Sequence, residues 1–106
     1  MSVYAYSSRS IERIKLMEPG EFNEVSIGLS RICVEAKISP LNISRALGVT
    51  RQAANAWLHG GIIAEPRRPK VKRFIEIVKN DLESGVLPKT KGKDVIEYVE
   101  NLRQVI

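Results

Sequence analysis

The chain has very few of the residues that build metal sites, disulfides and active sites. Its 106 residues include one cysteine, Cys33, and one histidine, His59. A single cysteine cannot form an internal disulfide, and two isolated side chains do not make a zinc cluster. The sequence also contains no glycine-rich phosphate loop and no serine motif of the hydrolase type. We therefore expect a protein that is not an enzyme and has no metal or cofactor.

Aromatic residues and long apolar runs are scarce as well. Aromatic side chains make up 6% of the chain, whereas 43% of it is hydrophobic. The core must then consist mainly of Ile, Val, Leu and Ala, which suits short packed helices better than aromatic-rich strands. No apolar run approaches the ~20 residues that span a bilayer, and the start, MSVYAYSSRS, lacks the features of a signal peptide. These absences predict a soluble, intracellular protein with no membrane partner.

The positive charge of the chain is concentrated in its middle. Residues 40–80 hold eight basic and two acidic side chains, a net charge of +6. Residues 1–39 hold five of each, and residues 81–106 hold four basic and five acidic. A basic segment between neutral flanks is predisposed to bind a polyanion, although lysines and arginines also occur as plain solvated surface.

Helical periodicity dominates the sequence. Apolar residues recur at three- and four-residue steps from Phe22 to Ile38, from Val71 to Leu82, and from about Lys93 to Ile106. A shorter helix is predicted from Ser10 to Met17. With the two helices described below, these patterns predict an all-α fold, a compact bundle of about five short helices that contains a helix-turn-helix.

We divide the chain into three parts. Residues 1–20 form an N-terminal arm and a short helix, residues 21–83 a helix-turn-helix domain, and residues 84–106 a C-terminal helix. Tyr4 and Tyr6 alternate with small residues in the arm, which is also compatible with a brief extended segment, and Thr90 is a candidate cap for the last helix. That helix is slightly negative, which argues against DNA contact. Its apolar stripe would pack on the domain, or bind a second copy or another protein.

The sharpest local signals lie between residues 39 and 61. Ser39 can cap a helix whose first position is Pro40, and Gly48 can end it in a left-handed conformation. Thr50 can cap a second helix, which Gly60-Gly61 ends. Two short helices joined at a glycine by a three-residue turn form a helix-turn-helix.

The two faces of the second helix differ in chemistry. Ala46, Ala53 and Ala54 are small enough for two crossing helices to approach closely, and Trp57 supplies a large apolar anchor. We interpret the tryptophan as a core residue; the alternative is a base-stacking role. The outward positions are Thr50, Arg51, Gln52, Asn55, Ala56 and His59.

The outward residue types match what the DNA major groove presents. Arg bonds to guanine O6 and N7, and Gln or Asn to adenine N6 and N7, each pair contributing about 1–3 kcal/mol of discrimination. Thr50 and the backbone N–H groups at the helix start can hold phosphate, helped by the helix dipole. His59, at the other end of the helix, is a further candidate phosphate contact. The alternative is a short helix whose polar residues are exposed to water and have no binding role.

The stretch SPLNISRALGVTRQAANAWLHGG resembles the helix-turn-helix of the phage Cro and repressor type, a family of bacterial and phage transcription factors. The resemblance rests on Leu47-Gly48-Val49 at the turn, on Thr50-Arg51-Gln52, and on Trp57 with glycine after it. It covers about 22 residues firmly. Two positions depart from the family pattern, since Ser44 replaces a common alanine and Ala54 a common Val or Ile.

The resemblance implies a specific set of contacts. The family's base-contacting positions fall on Arg51, Gln52, Asn55 and Ala56, with phosphate contacts near Thr50. Readers of this type often bind as dimers on half-sites about one DNA turn apart. A homodimer on a double-stranded operator, in the cytoplasm of a bacterium or a phage-infected host and associated with the nucleoid, is therefore the expected arrangement.

A basic run follows the helix-turn-helix. Beginning within the irregular connection IIAEPRRPK, five cations fall within seven residues: Arg67, Arg68, Lys70, Lys72 and Arg73. We interpret them as a phosphate clamp that adds sequence-independent, salt-sensitive affinity. The alternative is a solvated basic loop.

These observations lead to one functional hypothesis and two alternatives. The hypothesis is a sequence-specific DNA-binding transcriptional regulator, a repressor that blocks polymerase or an activator that positions it. The first alternative is a protein-interaction module, antitoxin-like or a host-takeover factor, in which nucleic-acid binding is secondary. The second is an RNA-binding protein that uses the basic run, although no aromatic platforms lie near it.

Overall fold

The computed structural model of the chain describes residues 6–18, 20, 23–89 and 91–106. Within these ranges the chain forms α-helices, one short 3-10 helix and no strand, so the predicted all-α fold is confirmed. The α-helices are α1 (Ser8–Leu16), α2 (Glu24–Ala36), α3 (Pro40–Leu47), α4 (Arg51–Leu58), α5 (Arg68–Glu83) and α6 (Gly92–Val105). No helix in this part of the chain is long and apolar enough to cross a membrane.

Helix α1 begins at a serine cap. The Ser7 hydroxyl accepts a hydrogen bond from the Ser10 amide at 3.1 Å, so the helix starts two residues earlier than the sequence pattern predicts. Just before it, the Tyr6 hydroxyl donates to the Ile38 carbonyl at 2.7 Å. This bond ties the N-terminal segment to the loop between α2 and α3. Tyr4, the other tyrosine of the predicted arm, lies outside the described residues.

Helix α2 ends two residues before the predicted limit at Ile38. Lys37 adopts a left-handed conformation with φ +58°, and the amides of Lys37 and Ile38 donate to carbonyls of the last turn. This left-handed residue closes the helix and turns the chain toward α3. Phe22, the predicted start, lies outside the described residues.

The prediction of an irregular connection before α5 is wrong in part, because much of that stretch is helical. A 3-10 helix, Glu65–Arg67, interrupts that connection, and α5 starts at Arg68, three residues before the predicted start at Val71. Pro69 lies in the first turn, where its missing N–H removes no hydrogen bond. Most of the basic run therefore lies on a helix, with a fixed angular position for each cation.

Helix α6 packs on α3 and contributes Val99 and Leu102 to the core. It begins at Gly92, and Thr90, the predicted cap, lies outside the described residues. The Tyr98 hydroxyl donates to Asp81 Oδ2 at 2.6 Å, which ties α6 to the end of α5. The C-terminal stripe is thus used in packing on the domain.

The core is mainly aliphatic, as the low aromatic content predicts. Phe74 and Trp57 are its only aromatic members among the buried residues of the described chain. Leu29, Cys33, Ile43, Leu58, Val71 and Val78 are among the aliphatic and small residues packed with them. Because helices α2 to α6 all contribute to this cluster, α4 is held against a continuous interior.

A stability prediction arises at Gly28, in the interior of α2. A β-carbon there would lie 3.8 Å from Ile75 Cδ1, an ordinary van der Waals contact. Glycine costs about 1 kcal/mol relative to alanine in a helix interior. Gly28→Ala should therefore raise the free energy of unfolding by about that amount, measured by urea denaturation. Gly60→Ala, where φ is +89°, should lower it; a lower stability for both variants would contradict the α2 geometry.

A second stability prediction concerns alkaline pH. Burial raises the pKa of the Cys33 thiol, and burial also raises the pKa of the Tyr6 and Tyr98 hydroxyls, with the bond to Asp81 adding to the effect at Tyr98. These groups hold their protons more tightly in the folded chain. Their contribution to the free energy of unfolding is complete at pH values below the pKa of each group in the unfolded chain, about 8.5 for the thiol and about 10 for the phenols. The contribution falls as the pH rises beyond those values.

The thiol should lower stability by about 1.4 kcal/mol for each pH unit above about 8.5. Urea denaturation at pH 7 to 10.5 would measure this slope. Cys33→Ala should be less stable at pH 7 but lose stability more slowly between pH 8.5 and 10. Parallel pH profiles for the two proteins would show that the thiol is not the group responsible.

Candidate nucleic-acid interface

Helices α3 and α4 are joined by the three residues Gly48, Val49 and Thr50 and pack on each other. The Ser39 hydroxyl accepts from the Asn42 amide at 3.3 Å, and the Thr50 hydroxyl accepts from the Ala53 amide at 3.1 Å. Gly48 is left-handed, with φ +68°. The predicted caps and turn of the helix-turn-helix are therefore confirmed.

Both glycines after α4 are required by its ending. Gly60 has φ +89°, and its amide donates to the Trp57 carbonyl at 3.1 Å. The Gly61 amide donates to the Ala56 carbonyl at 2.9 Å, which completes a Schellman motif. A β-carbon at Gly61 would lie 2.7 Å from the Ala56 carbonyl oxygen. The glycine pair thus fixes where the helix ends and how the chain leaves it.

The inner face of α4 is packed as predicted. Ala54 and Leu58 are fully buried, and Trp57 is 7% exposed within the core cluster. The alanine of α3, Ala46, is also fully buried. The interpretation of Trp57 as a core residue is confirmed, and its packing fixes the rotation of α4 about its axis.

Ser44, one of the two departures from the family pattern, fits its position. It is buried on α3, and its hydroxyl donates to the Leu41 carbonyl at 2.6 Å within the same helix. The polar group is satisfied locally, so it does not require a partner from α4. A serine at this position is therefore compatible with the packing of the two helices.

The outer face of α4 is exposed along its whole length. The exposed residues are Thr50, Arg51, Gln52, Asn55, Ala56 and His59, the set predicted to face the groove. A helix of eight residues rises about 12 Å, comparable to the major-groove width of about 12 Å. The structure brings the candidate base contacts together on one surface, where they can approach a ligand at the same time.

His59 has a defined hydrogen-bond role at the end of α4. Its Nδ1 atom lies 2.8 Å from the Asn55 carbonyl oxygen. A carbonyl oxygen only accepts, so Nδ1 carries the proton in this bond. The ring is therefore oriented by its own helix.

The basic run is distributed over several surfaces. Arg68 is half-buried, and its Nε donates to the Ile63 carbonyl at 2.9 Å, so this cation helps to hold the connection after α4. Arg67, Lys70, Lys72 and Arg73 are exposed. The clamp predicted as one continuous cluster is therefore divided.

Lys70 and Lys72 lie on opposite sides of α5. The Nζ atom of Lys70 lies 3.9 Å from the point that a β-carbon on Gly48 would occupy, beside the turn of the helix-turn-helix. Lys72 lines a surface cavity of about 240 Å³ with Glu24, Gly28 and Ile75. Two residues on a helix are about 200° apart, which explains the separation. The separation of the two lysines can be predicted from the sequence only if α5 is known to begin at Arg68.

The end of α1 also lies beside α4, which the sequence does not indicate. The Met17 sulfur lies 3.3 Å from the point that a β-carbon on Gly60 would occupy. Arg31 Nη2 donates to the Met17 carbonyl at 2.9 Å and fixes that segment. The contact is tertiary and joins distant parts of the chain, so no local pattern signals it.

The remaining chemistry of the described residues is limited. No group of three or more His, Cys, Asp or Glu side chains within the described ranges is arranged to hold a metal ion. Cys33 lies fully buried, where its thiol is inaccessible. None of the protein-family models, curated proteins and solved structures compared with the chain matches it. The α4 surface and its surroundings are therefore the candidate functional site of the described residues.

Proposed function

We propose that the protein is a sequence-specific regulator of transcription that binds double-stranded DNA through α4. The observation that supports this most is the outer face of α4. It carries Arg51, Gln52 and Asn55 exposed together on a helix that is fixed at both ends. Such a helix can enter a major groove without reorganisation, so little ordering entropy is lost on binding.

In this mechanism α4 lies in the major groove. Arg51 bonds to guanine, while Gln52 and Asn55 bond to adenine and Ala56 contacts a thymine methyl group. Thr50, His59 and those exposed cations of the basic run that lie on the α4 side bind phosphates and set the register without reading sequence. Occupation of a promoter then blocks polymerase, and a site upstream of the promoter would position it instead.

We further propose that the protein binds as a homodimer, for the reason that half-sites one DNA turn apart double the contacted surface. Helix α6 offers limited support as the contact. Its exposed apolar residues are Ile96 and Val105, which are 53% and 55% exposed. They are nine residues apart and therefore lie on opposite sides of the helix, so they do not form one apolar surface. The stripe that would serve a partner, including Val99 and Leu102, faces the core.

The proposal is tested by selection from a random pool of 20-base-pair duplexes with the wild-type protein at two salt concentrations. We expect enrichment of one motif, frequently as an inverted repeat. Parallel selections use single-stranded DNA and double-stranded RNA of matched length. Equal retention of all three nucleic acids, without a motif, would contradict sequence-specific DNA binding and favour the RNA or protein alternatives.

A further inference from the structure

The exposed cations of the basic run do not share one environment. Lys70 lies beside the turn that leads into α4, whereas Lys72 lies on the α2 side of the same helix, with Glu24 in its cavity. Arg73 lies next to Lys72, and the two cations line a second cavity along α5 together with Glu76 and Asn80. A ligand that contacts the outer face of α4 approaches these cations from a single direction.

We propose that Lys70 is the phosphate-binding lysine of this run and that Lys72 does not contact the DNA. The inference rests on the proposed function and places the phosphate contacts of α5 on one side of that helix. A phosphate that lies near the start of α4 is within reach of the flexible Lys70 stem, because Gly48 is two residues before Thr50. Lys72 would have to reach around its own helix.

The position of Glu24 adds a second reason. A carboxylate in the same cavity as Lys72 gives that surface both signs of charge, which is unsuited to a phosphate backbone. By contrast, the Lys70 ammonium lies beside the turn, 3.9 Å from the point that a β-carbon on Gly48 would occupy. The DNA would therefore be held at the Arg51 end of α4.

The test is a matched pair of variants, Lys70→Gln and Lys72→Gln. Each removes one positive charge from an exposed position on the same helix, so their effects on net charge are equal. Affinity for the selected duplex is measured from 50 to 300 mM salt. We expect Lys70→Gln to lower the slope of log K against log salt by about 0.9, the value for one phosphate contact, and to weaken binding severalfold at low salt. Lys72→Gln should remain within twofold of the wild type.

Further measurements separate the possible outcomes. Lys70→Arg should restore the slope, and thermal melting checks whether Lys70 only stabilises the end of α3. Equal losses at both positions, or a lower melting temperature with unchanged DNA affinity for Lys70→Gln, would overturn the inference. An unchanged motif in an Arg51→Ala, Gln52→Ala variant would overturn the proposed function instead. Absence of wild-type binding to any duplex would overturn both.

Discussion

An Arg51→Ala, Gln52→Ala variant is expected to lose most of its preference for the selected site. Both side chains are exposed at the start of α4, and each bidentate contact supplies about 1–3 kcal/mol of discrimination. Together they correspond to a factor of roughly 30 to 20,000 between the selected site and unrelated DNA. Competition binding with labelled site and unlabelled mixed-sequence duplex measures this ratio.

The chain contains a closely matched control. Arg103 and Gln104 are the same pair of residue types, adjacent in the sequence and exposed on α6. Arg103→Ala, Gln104→Ala removes the same charge and the same amide from a different surface. This control variant should keep the ratio of affinities for the selected site and for unrelated DNA within twofold of the wild type. Similar losses in both variants would mean that net charge, and not the outer face of α4, determines the preference.

Replacement of Trp57 by alanine is expected to cause a large loss of stability. The side chain is 7% exposed on the inner face of α4 and belongs to the core cluster. Truncation of a buried tryptophan to alanine costs about 3–5 kcal/mol, which is a large part of the stability of a small domain. Urea denaturation should show a lower midpoint, and DNA binding should fail wherever the variant is unfolded.

A Trp57→Phe variant separates the packing role from the base-stacking alternative. Phenylalanine keeps a buried ring, so this variant should stay folded and retain the affinity and preference of the wild type for the selected duplex. The fluorescence of Trp57 should also change little when DNA binds. Strong quenching by DNA, together with weaker binding by a fully folded Trp57→Phe variant, would instead place the tryptophan against the bases.

The helix-turn-helix could be predicted closely because its signals are local. Ser39 and Thr50 cap helices a few residues away, and Gly48 takes a backbone conformation that other residues adopt at a cost. The inward and outward faces of α4 follow from the spacing of alanine and Trp57 in a helical period. Each of these features depends on neighbours within one or two turns.

The surroundings of α4 could not be predicted in the same way. Two prolines suggest a loop before α5, yet one lies in a 3-10 helix and Pro69 in a first helical turn. Whether this stretch is a loop or a helix determines the side of α5 on which each cation of the run lies. The contact of Met17 with Gly60 and the bond from Arg68 to Ile63 depend on how the chain packs. Local patterns therefore predict the candidate reading surface but not the division of the cations around it.

Mapping of amide chemical shifts in the ¹⁵N-labelled protein during titration with the selected duplex tests the central claim most directly. A chain of 106 residues suits this measurement, and every element is observed at once. The account predicts that the largest changes fall on α4 from Thr50 to Asn55, on the turn at Gly48, and at Lys70. Changes confined to α6, or to α1 and α2, with α4 unaffected, would contradict it.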